Sequence, residues 1–386
     1  MRFANADRRG HIFGVFMTKA AWDIGDDGLC RLSEEQEPFT LTDGYHGDLN
    51  VTALRQPSDF VPYKPKADII PDAVAYAPGG SPQATWIAGL RVADGSGRTI
   101  EKNLRITGPR WWVPQWRRQL KDEEKRDWKR FRHLFVGWKL SEPEPISYLP
   151  IRYEYAYGGC LKVLDETGGQ ENRKAYHHNP IGMGWIDKEL TDHTERVAAP
   201  QIEDPDEPIS DPYMQYLPHS LGPIPPAWLP RRPLGGTYDQ NWLDNVRPRW
   251  PEDYDFAYNN SASLGLISEE FLQGEISFEL HNLHPKHEHW TIKLPDKLLA
   301  AILGRSDGRN EIVKLAMDTV FLDIGQDCAG DYRILTTWRA PFNRDGVEMI
   351  SLRQVDPSEL KSFSVPINAS PHPETVAQAR NKEAAI

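Results

Sequence analysis

The 386-residue chain has few of the features that by themselves declare a function. Its three cysteines, Cys30, Cys160 and Cys328, are far apart and form no CxxC motif, so buried thiols in a reducing compartment are expected. No apolar run approaches the length needed to cross a bilayer. The N-terminal stretch MRFANADRRGHIFGVFM has an apolar patch too short for a signal peptide, and it continues directly into a strand-like segment. There is no surplus of positive charge: the formal net charge is −11, which argues against a nucleic-acid partner held through its phosphates. Neither GxSxG nor HExxH occurs, and no internal repeat has a solenoid period. These absences leave a soluble acidic protein, expected in the cytoplasm, with no catalytic signature, no cofactor motif and no membrane segment.

What the chain has instead is an unusual central stretch, LGPIPPAWLPRRPLGGTYDQNWLDNVRPRWPEDYDFAYNN, from Leu221 to Asn260. Its prolines prevent long helices or ladders, because each fixes φ and removes an N–H donor. Yet it carries Trp228, Trp242 and Trp250, and disordered linkers are poor in large aromatics. The stretch reads as an ordered, non-repetitive wrap with aromatic anchors and a turn at Gly235-Gly236.

Around it the pattern is mostly β. Ile12, Phe16, Trp22 and Ile24 share a parity, predicting a strand over 12–24 with these residues on its buried face. Trp86, Ala88, Leu90 and Val92 alternate, Asp94-Gly95-Ser96-Gly97 turns, and Ile100, Lys102, Leu104 and Ile106 alternate back, which is a β-hairpin. Ile276, Phe278 and Leu280 pair by pattern with Trp290, Ile292 and Leu294, and 318–324 with 332–338. Tyr153, Tyr155 and Tyr157 alternate before Gly158-Gly159, as on one face of a strand. The glycines of His177–Trp185 lack the strand-to-helix context of a phosphate loop and read as structural positions. One helix is expected, over 117–135, with Trp116, Leu120, Trp128, Phe131 and Phe135 near helical spacing. Its basic residues interleave with Asp122, Glu123, Glu124 and Asp127, so a self-paired solvated face is preferred to a nucleic-acid surface. The fold class is therefore α+β and β-rich, with antiparallel hairpins, few helices and long ordered loops rich in proline and glycine. The expected division is a β-rich domain over 1–341, divisible into packed halves 1–150 and 151–341, and a C-terminal extension over 342–386 that frays at its end.

Two constellations invite a chemical reading. His281, His284, His287 and His289 lie within nine residues, but HNLHPKHEH matches no zinc pattern, and a polar hairpin tip is the preferred reading over a metal site. Asp239, Glu252, Asp253 and Asp255 lie among tryptophans, as in a glycan-cleaving site with paired carboxylates, and this hydrolase is the alternative function. Carboxylates beside Tyr and Trp equally suit a protein interface.

A family resemblance favours the interface. The chain contains, in order, Lys64-Pro65-Lys66-Ala67-Asp68, Ala75-Tyr76-Ala77-Pro78-Gly79-Gly80, Gly108-Pro109-Arg110-Trp111 and Tyr153-Glu154-Tyr155-Ala156-Tyr157-Gly158-Gly159. There follow Asn179-Pro180-Ile181-Gly182-Met183-Gly184, Ile202-Glu203, Trp228-Leu229-Pro230-Arg231, Gly236-Thr237-Tyr238-Asp239-Gln240-Asn241-Trp242 and Pro251-Glu252-Asp253-Tyr254-Asp255, and later Asp318-Thr319-Val320 and Trp338-Arg339-Ala340. In this order the pieces resemble the uncharacterised-domain family of type VI secretion system accessory proteins, adaptor-chaperones encoded beside spike and toxin genes. Pro109 stands where the family usually has an acid, and tyrosine stands at 155, 157 and 254 where phenylalanine is common. The resemblance implies a non-enzymatic cytoplasmic protein of a Gram-negative bacterium. Its partners would be a toxin effector, the spike's tip protein or both, with the trimeric spike as a further candidate; no cofactor or metal is expected. Anchors expected at the partner surface are Trp228, Tyr238, Trp242 and Trp250, with Arg231 and Arg232 at the rim.

Overall fold

The computed structural model describes residues 1–6, 10–164, 171–325 and 330–355. In chain order its main strands are β1 (Arg2–Ala6), β2 (Ile12–Ile24), β3 (Ala67–Tyr76), β4 (Thr85–Ala93), β5 (Thr99–Thr107), β6 (Arg110–Trp116) and β7 (Phe135–Leu140). They continue with β8 (Ile276–His281), β9 (His289–Leu294), β10 (Leu299–Arg305), β11 (Asn310–Lys314), β12 (Ala316–Ile324), β13 (Arg333–Phe342) and β14 (Val347–Gln354). The largest sheet runs β1-β2-β13-β12-β3, with only the β12–β3 pair parallel. A second sheet runs β5-β4-β8-β9, all antiparallel, and a third runs β11-β10-β14. The chain is thus β-rich and mostly antiparallel, as its alternation predicts. Among the described residues no helix is long and apolar enough to cross a membrane.

The two large sheets contribute to one buried cluster. Ile69, Ile70, Val320 and Leu322 enter it from the first, and Leu90, Ile106, Phe278 and Ile292 from the second. The cluster draws on residues from both sides of position 150. Strand β3 is buried at nearly every position, which fits its run of small and branched apolar residues between neighbours on both sides. Pro71 sits where β3 lacks a second partner, between the short pairings at 67–68 and 74–76, so the missing donor breaks no ladder.

The three predicted strand pairs form, with Trp86 opposite Ile106, Phe278 opposite Ile292, and Val320 opposite Thr336. At the first turn the Asp94 carboxylate accepts from Ser96 N and Arg98 N at 3.0 and 3.1 Å, and Gly97 takes φ 84°. Lys102, on the hairpin's inner face, is buried and donates to Ser263 Oγ at 2.6 Å. Burial pushes its pKa down to about 7.

Three local expectations need correction. In β2 both faces are covered: Trp22 is buried and Phe16 and Ile24 pack on the main cluster as expected, but Ile12 is 64% exposed and Val15, Met17 and Ala21 of the other parity are fully buried. Parity identifies a single core face only when the other face meets water. Here Lys19 donates to Pro38 O, Thr40 Oγ1 and the Asp59 carboxylate, so a following loop covers the odd-numbered face. The expected helix over 117–135 shrinks to one turn, Asp122–Arg126, followed by a 3-10 segment, Trp128–Leu134. Its aromatics close a hairpin instead: Phe135 lies opposite Trp116 in the β6–β7 ladder, their rings 5.2 Å apart, and Trp128 packs on His193. The charges are self-paired as expected, Arg118 with Glu124 at 2.6 Å and Lys125 with Asp122 at 3.0 Å.

The tyrosines at 153–157 do not share a strand face. Tyr153–Tyr155 is a 3-10 turn, which sends Tyr153 into the main cluster and Tyr157 into a second one with Tyr176 and Tyr216. Gly158, in the short strand after this turn, takes φ 149°, and a Cβ there would meet the Asn179 carbonyl oxygen at 2.1 Å. The buried Asn179 donates from its amide to the carbonyls of Tyr153 and Tyr157, so both glycine-bearing motifs are structural.

Candidate functional site

The wrap at 221–260 is ordered by its own polar contacts. Arg231 donates to the carbonyls of Ile224 and Tyr258, tying its two ends together. Burial lowers the Arg231 pKa, while each of its three nitrogens donates to a carbonyl. Trp228 is 7% exposed and meets Tyr153 edge-on at 5.5 Å, inside the main cluster. Trp250 is half-buried against Tyr254 at 4.3 Å, and Tyr254 in turn packs on Phe256. Of the six expected partner residues, Trp228 and Arg231 therefore serve the protein's own interior, and Trp250 extends that packing outward. Arg232 is exposed on the 3-10 turn Arg232–Gly235.

The remaining two lie on an exposed excursion from Thr237 to Arg249. Its base is closed by Thr237, which donates from its backbone N and hydroxyl to the Asp253 carboxylate at 2.9 and 2.7 Å. Inside it, Trp242 N donates to Asp239 Oδ1 at 2.8 Å and Trp242 Nε1 to the Arg249 carbonyl at 2.9 Å. These bonds fix the indole, and Tyr238 meets it edge-on at 4.7 Å. Tyr238 is 54% exposed and Leu243 is 47% exposed. Leu243 escaped the sequence reading, although an apolar residue beside Trp242 in a polar stretch was the available signal. The pair Tyr238 and Leu243, with the half-buried Trp242, presents apolar surface on a hydrogen-bonded frame, the form an interface anchor takes.

The aspartates of this region are engaged locally, while Glu252 is exposed. Asp239 caps Trp242, Asp253 holds Thr237, Asp255 accepts from Ala257 N at 2.9 Å, and Asp244 accepts from Gln240 Nε2 at 2.9 Å. They stabilise turns, which is what Asp does between N–H groups.

A second constellation is buried and was not legible in sequence. Lys64 Nζ lies 2.7 Å from the Asp68 carboxylate and 2.8 Å from Thr319 Oγ1. Asp68 also accepts from Asn260 Nδ2 and Ser261 N, both at 2.9 Å. Beside them Arg339 pairs with Asp318 and donates to the Asp59 carbonyl at 2.8 Å, while Asp59 pairs with Lys19 at 3.0 Å. All six charged side chains are buried, three of each sign. Lys64, Asp68, Asp318, Thr319 and Arg339 are residues of the motifs that carry the family resemblance, and this network is what those motifs build.

The histidines form a hairpin tip. His281 stacks on His289 at 4.6 Å and His284 on His287 at 4.7 Å. His284 Nδ1 accepts from the backbone N of Lys286 and of His287, both at 3.1 Å, so that nitrogen carries no proton. Among the described residues no three His, Cys, Asp or Glu side chains converge as metal ligands. Burial, then His287 and Lys286, push the His284 pKa down to about 4, against an attraction from Asp26. Because the folded value lies below the ordinary 6.5, the unfolded chain binds the extra proton first. Stability is therefore expected to be full above pH 6.5, to fall as pH drops toward 4, and to level off for this group below that. Urea midpoints measured across this range check it, and His284→Gln should flatten the His284 contribution.

Cys30 is buried and its thiol is pushed up to about 12 by burial, whereas Cys160 is exposed. Cys328 and residues 356–386 of the C-terminal extension lie outside the described residues.

A family model described as "Uncharacterized protein conserved in bacteria (DUF2169)" matches residues 9–339. No curated protein and no solved structure matches the chain.

Proposed function

We propose, since the chain belongs to the DUF2169 family of proteins conserved in bacteria, that it is a cytoplasmic adaptor-chaperone for a type VI secretion effector or its tip protein. The observation that carries the reading is the excursion at 237–249, where Tyr238, Trp242 and Leu243 offer aromatic and aliphatic surface on a frame already fixed by hydrogen bonds. Pre-organised aromatic anchors lose little conformational freedom on binding, so more of their burial appears as affinity. The motif order described above supplies the secretion context. In this role the protein needs no cofactor. It covers apolar surface of the cargo, and because it binds the folded cargo selectively it raises the cargo's stability by mass action until handover to the spike.

Co-expression with the toxin encoded beside it, followed by affinity capture and size exclusion, tests the proposal. A complex is expected for the wild type. The triple variant Tyr238→Ala, Trp242→Ala, Leu243→Ser should lose it, since truncating one hot-spot residue alone costs about 2 kcal/mol or more. The variant should stay folded, with a melting temperature lowered by only a few degrees for the lost Trp242 Nε1 bond, because these side chains lie outside the buried cluster. An undiminished complex with the triple variant would overturn the assignment of the surface, and failure to bind any neighbouring toxin or tip protein would overturn the adaptor role.

A further inference from the structure

The three-stranded sheet β11-β10-β14 ends at β14. Among the described residues β14 pairs with β10 alone, which leaves a row of backbone N–H and C=O groups along its outer side without a ladder partner there. Natural sheets blunt such edges with short strands, lysine, proline or a bulge that twists the edge away. In β14 the register slips only at one end, where Gly304 faces Met349 and Arg305 faces Val347, and it is regular from Met349 to Gln354. That regular stretch holds no lysine and no proline, and its one charged residue is Arg353.

Facing residues of an antiparallel pair share one side of the sheet. Ile350 faces Leu303 and Leu352 faces Ala301, and both Leu303 and Ala301 are buried in the main cluster. Ile350 packs on the margin of that cluster, but Leu352, the next residue on the same side, is 45% exposed. The core-facing side therefore runs off the sheet at β14 with an aliphatic side chain uncovered. On the other side Met349 is 59% exposed and Ser351 is exposed as well.

The strand is complementary to itself. A copy brought beside β14 by a two-fold axis normal to the sheet runs antiparallel and keeps its sides, so facing residues must have the same parity. With the axis at Ser351, Ile350 of each copy faces Leu352 of the other, Met349 faces Arg353, and Ser351 faces itself. An axis one residue earlier sets Leu352 against Glu348, and one residue later sets Ile350 against Gln354. Only the axis at Ser351 gives both aliphatics an aliphatic neighbour, and it brings no like charges face to face. We infer that β14 pairs with β14 of a second copy of this chain, antiparallel and with the axis at Ser351, which joins the two three-stranded sheets edge to edge and covers Leu352 with Ile350 of the other copy. Such a contact closes on itself as a dimer. A ladder from Met349 to Arg353 is a small interface, so the association is weak and depends on concentration.

Sedimentation velocity of the full chain, from micromolar to near-millimolar concentration, should show the mass rising toward that of a dimer. Leu352→Lys changes an exposed side chain, so the fold should survive, and it should hold the protein monomeric by placing two ammonium groups on the same side of the joint. Cysteine trapping tests the register, with Ser351→Cys and Met349→Cys each made on a Cys160→Ser background that removes the exposed native thiol. Facing residues have Cα atoms about 4.5–5.5 Å apart, within reach of a disulfide, so Ser351→Cys should cross-link under copper–phenanthroline oxidation. The two copies of position 349 would stand four residues apart along the ladder, about 13 Å, so Met349→Cys should not. A constant monomer mass, a dimer undiminished by Leu352→Lys, or equal trapping at 349 and 351 would each overturn the inference. Dimerisation that appears only after residues 356–386 are removed would assign the edge to those residues and would overturn it as well. These measurements use the chain without cargo, so their failure leaves the adaptor proposal standing, and loss of cargo binding leaves the dimer standing.

Discussion

Replacing Asp68 by alanine is expected to lower the unfolding free energy by about 3–5 kcal/mol, the range for removing one partner of a buried ion pair. The size follows from what remains. Lys64 would keep its buried ammonium with only Thr319 Oγ1 as an acceptor, and Asn260 Nδ2 and Ser261 N would each lose a bond. The loss extends beyond the pair, because Asp68 fastens the end of the 221–260 wrap to β3, the strand at the far side of the large sheet. Urea denaturation of the single variant measures the cost. The companion variant Lys64→Met/Asp68→Leu should recover a large part of it, since replacing both charges leaves no orphaned ammonium. A single variant as stable as the wild type would mean that this network contributes nothing to the fold. A double variant no better than the single would place the cost in the bonds to Asn260 and Ser261.

Trp228→Ala is expected to cost about 3–5 kcal/mol as well, the usual price of deleting a large buried aromatic. Trp228 lies against Tyr153 within the main cluster, and truncation would open a void that the proline-stiffened backbone on either side cannot close. Trp242→Ala, fourteen residues on in the same stretch, should cost only about 1 kcal/mol, because the half-buried indole gives up one hydrogen bond to the Arg249 carbonyl and no core packing. Measured side by side, the two variants separate a tryptophan that builds the protein from one available to a partner. The reverse ranking, with Trp242 the costly one, would show that the excursion is part of the core and not a docking surface.

The hairpins were legible because their information is local. Alternation at 86–92, 100–106, 276–280 and 290–294 states which side chains share a face, and a short turn leaves one register that keeps those faces together. Where a second layer of chain covers the other face, the same rule fails, as in β2, whose odd positions are buried under the loop that carries Asp59. The aromatics at 116–135 had helical spacing by accident of a hairpin's closure, which places Trp116 and Phe135 opposite each other whatever lies between them. In the wrap, composition announced order but could not sort its tryptophans. Trp228, Trp242 and Trp250 have similar neighbours in sequence and quite different ones in space.

The sequence by itself determined the β-rich class, the strand pairs, the ordered character of 221–260 and the acidic, motif-poor chemistry. Each of these rests on properties of residues within a few positions of one another. Only the tertiary structure decided which anchors face outward and where the buried charges meet. Lys64 finds Thr319 across 255 positions and Asp68 finds Asn260 across 192. No local pattern encodes such a meeting, because a buried charge is stable only beside a partner that the whole fold brings to it.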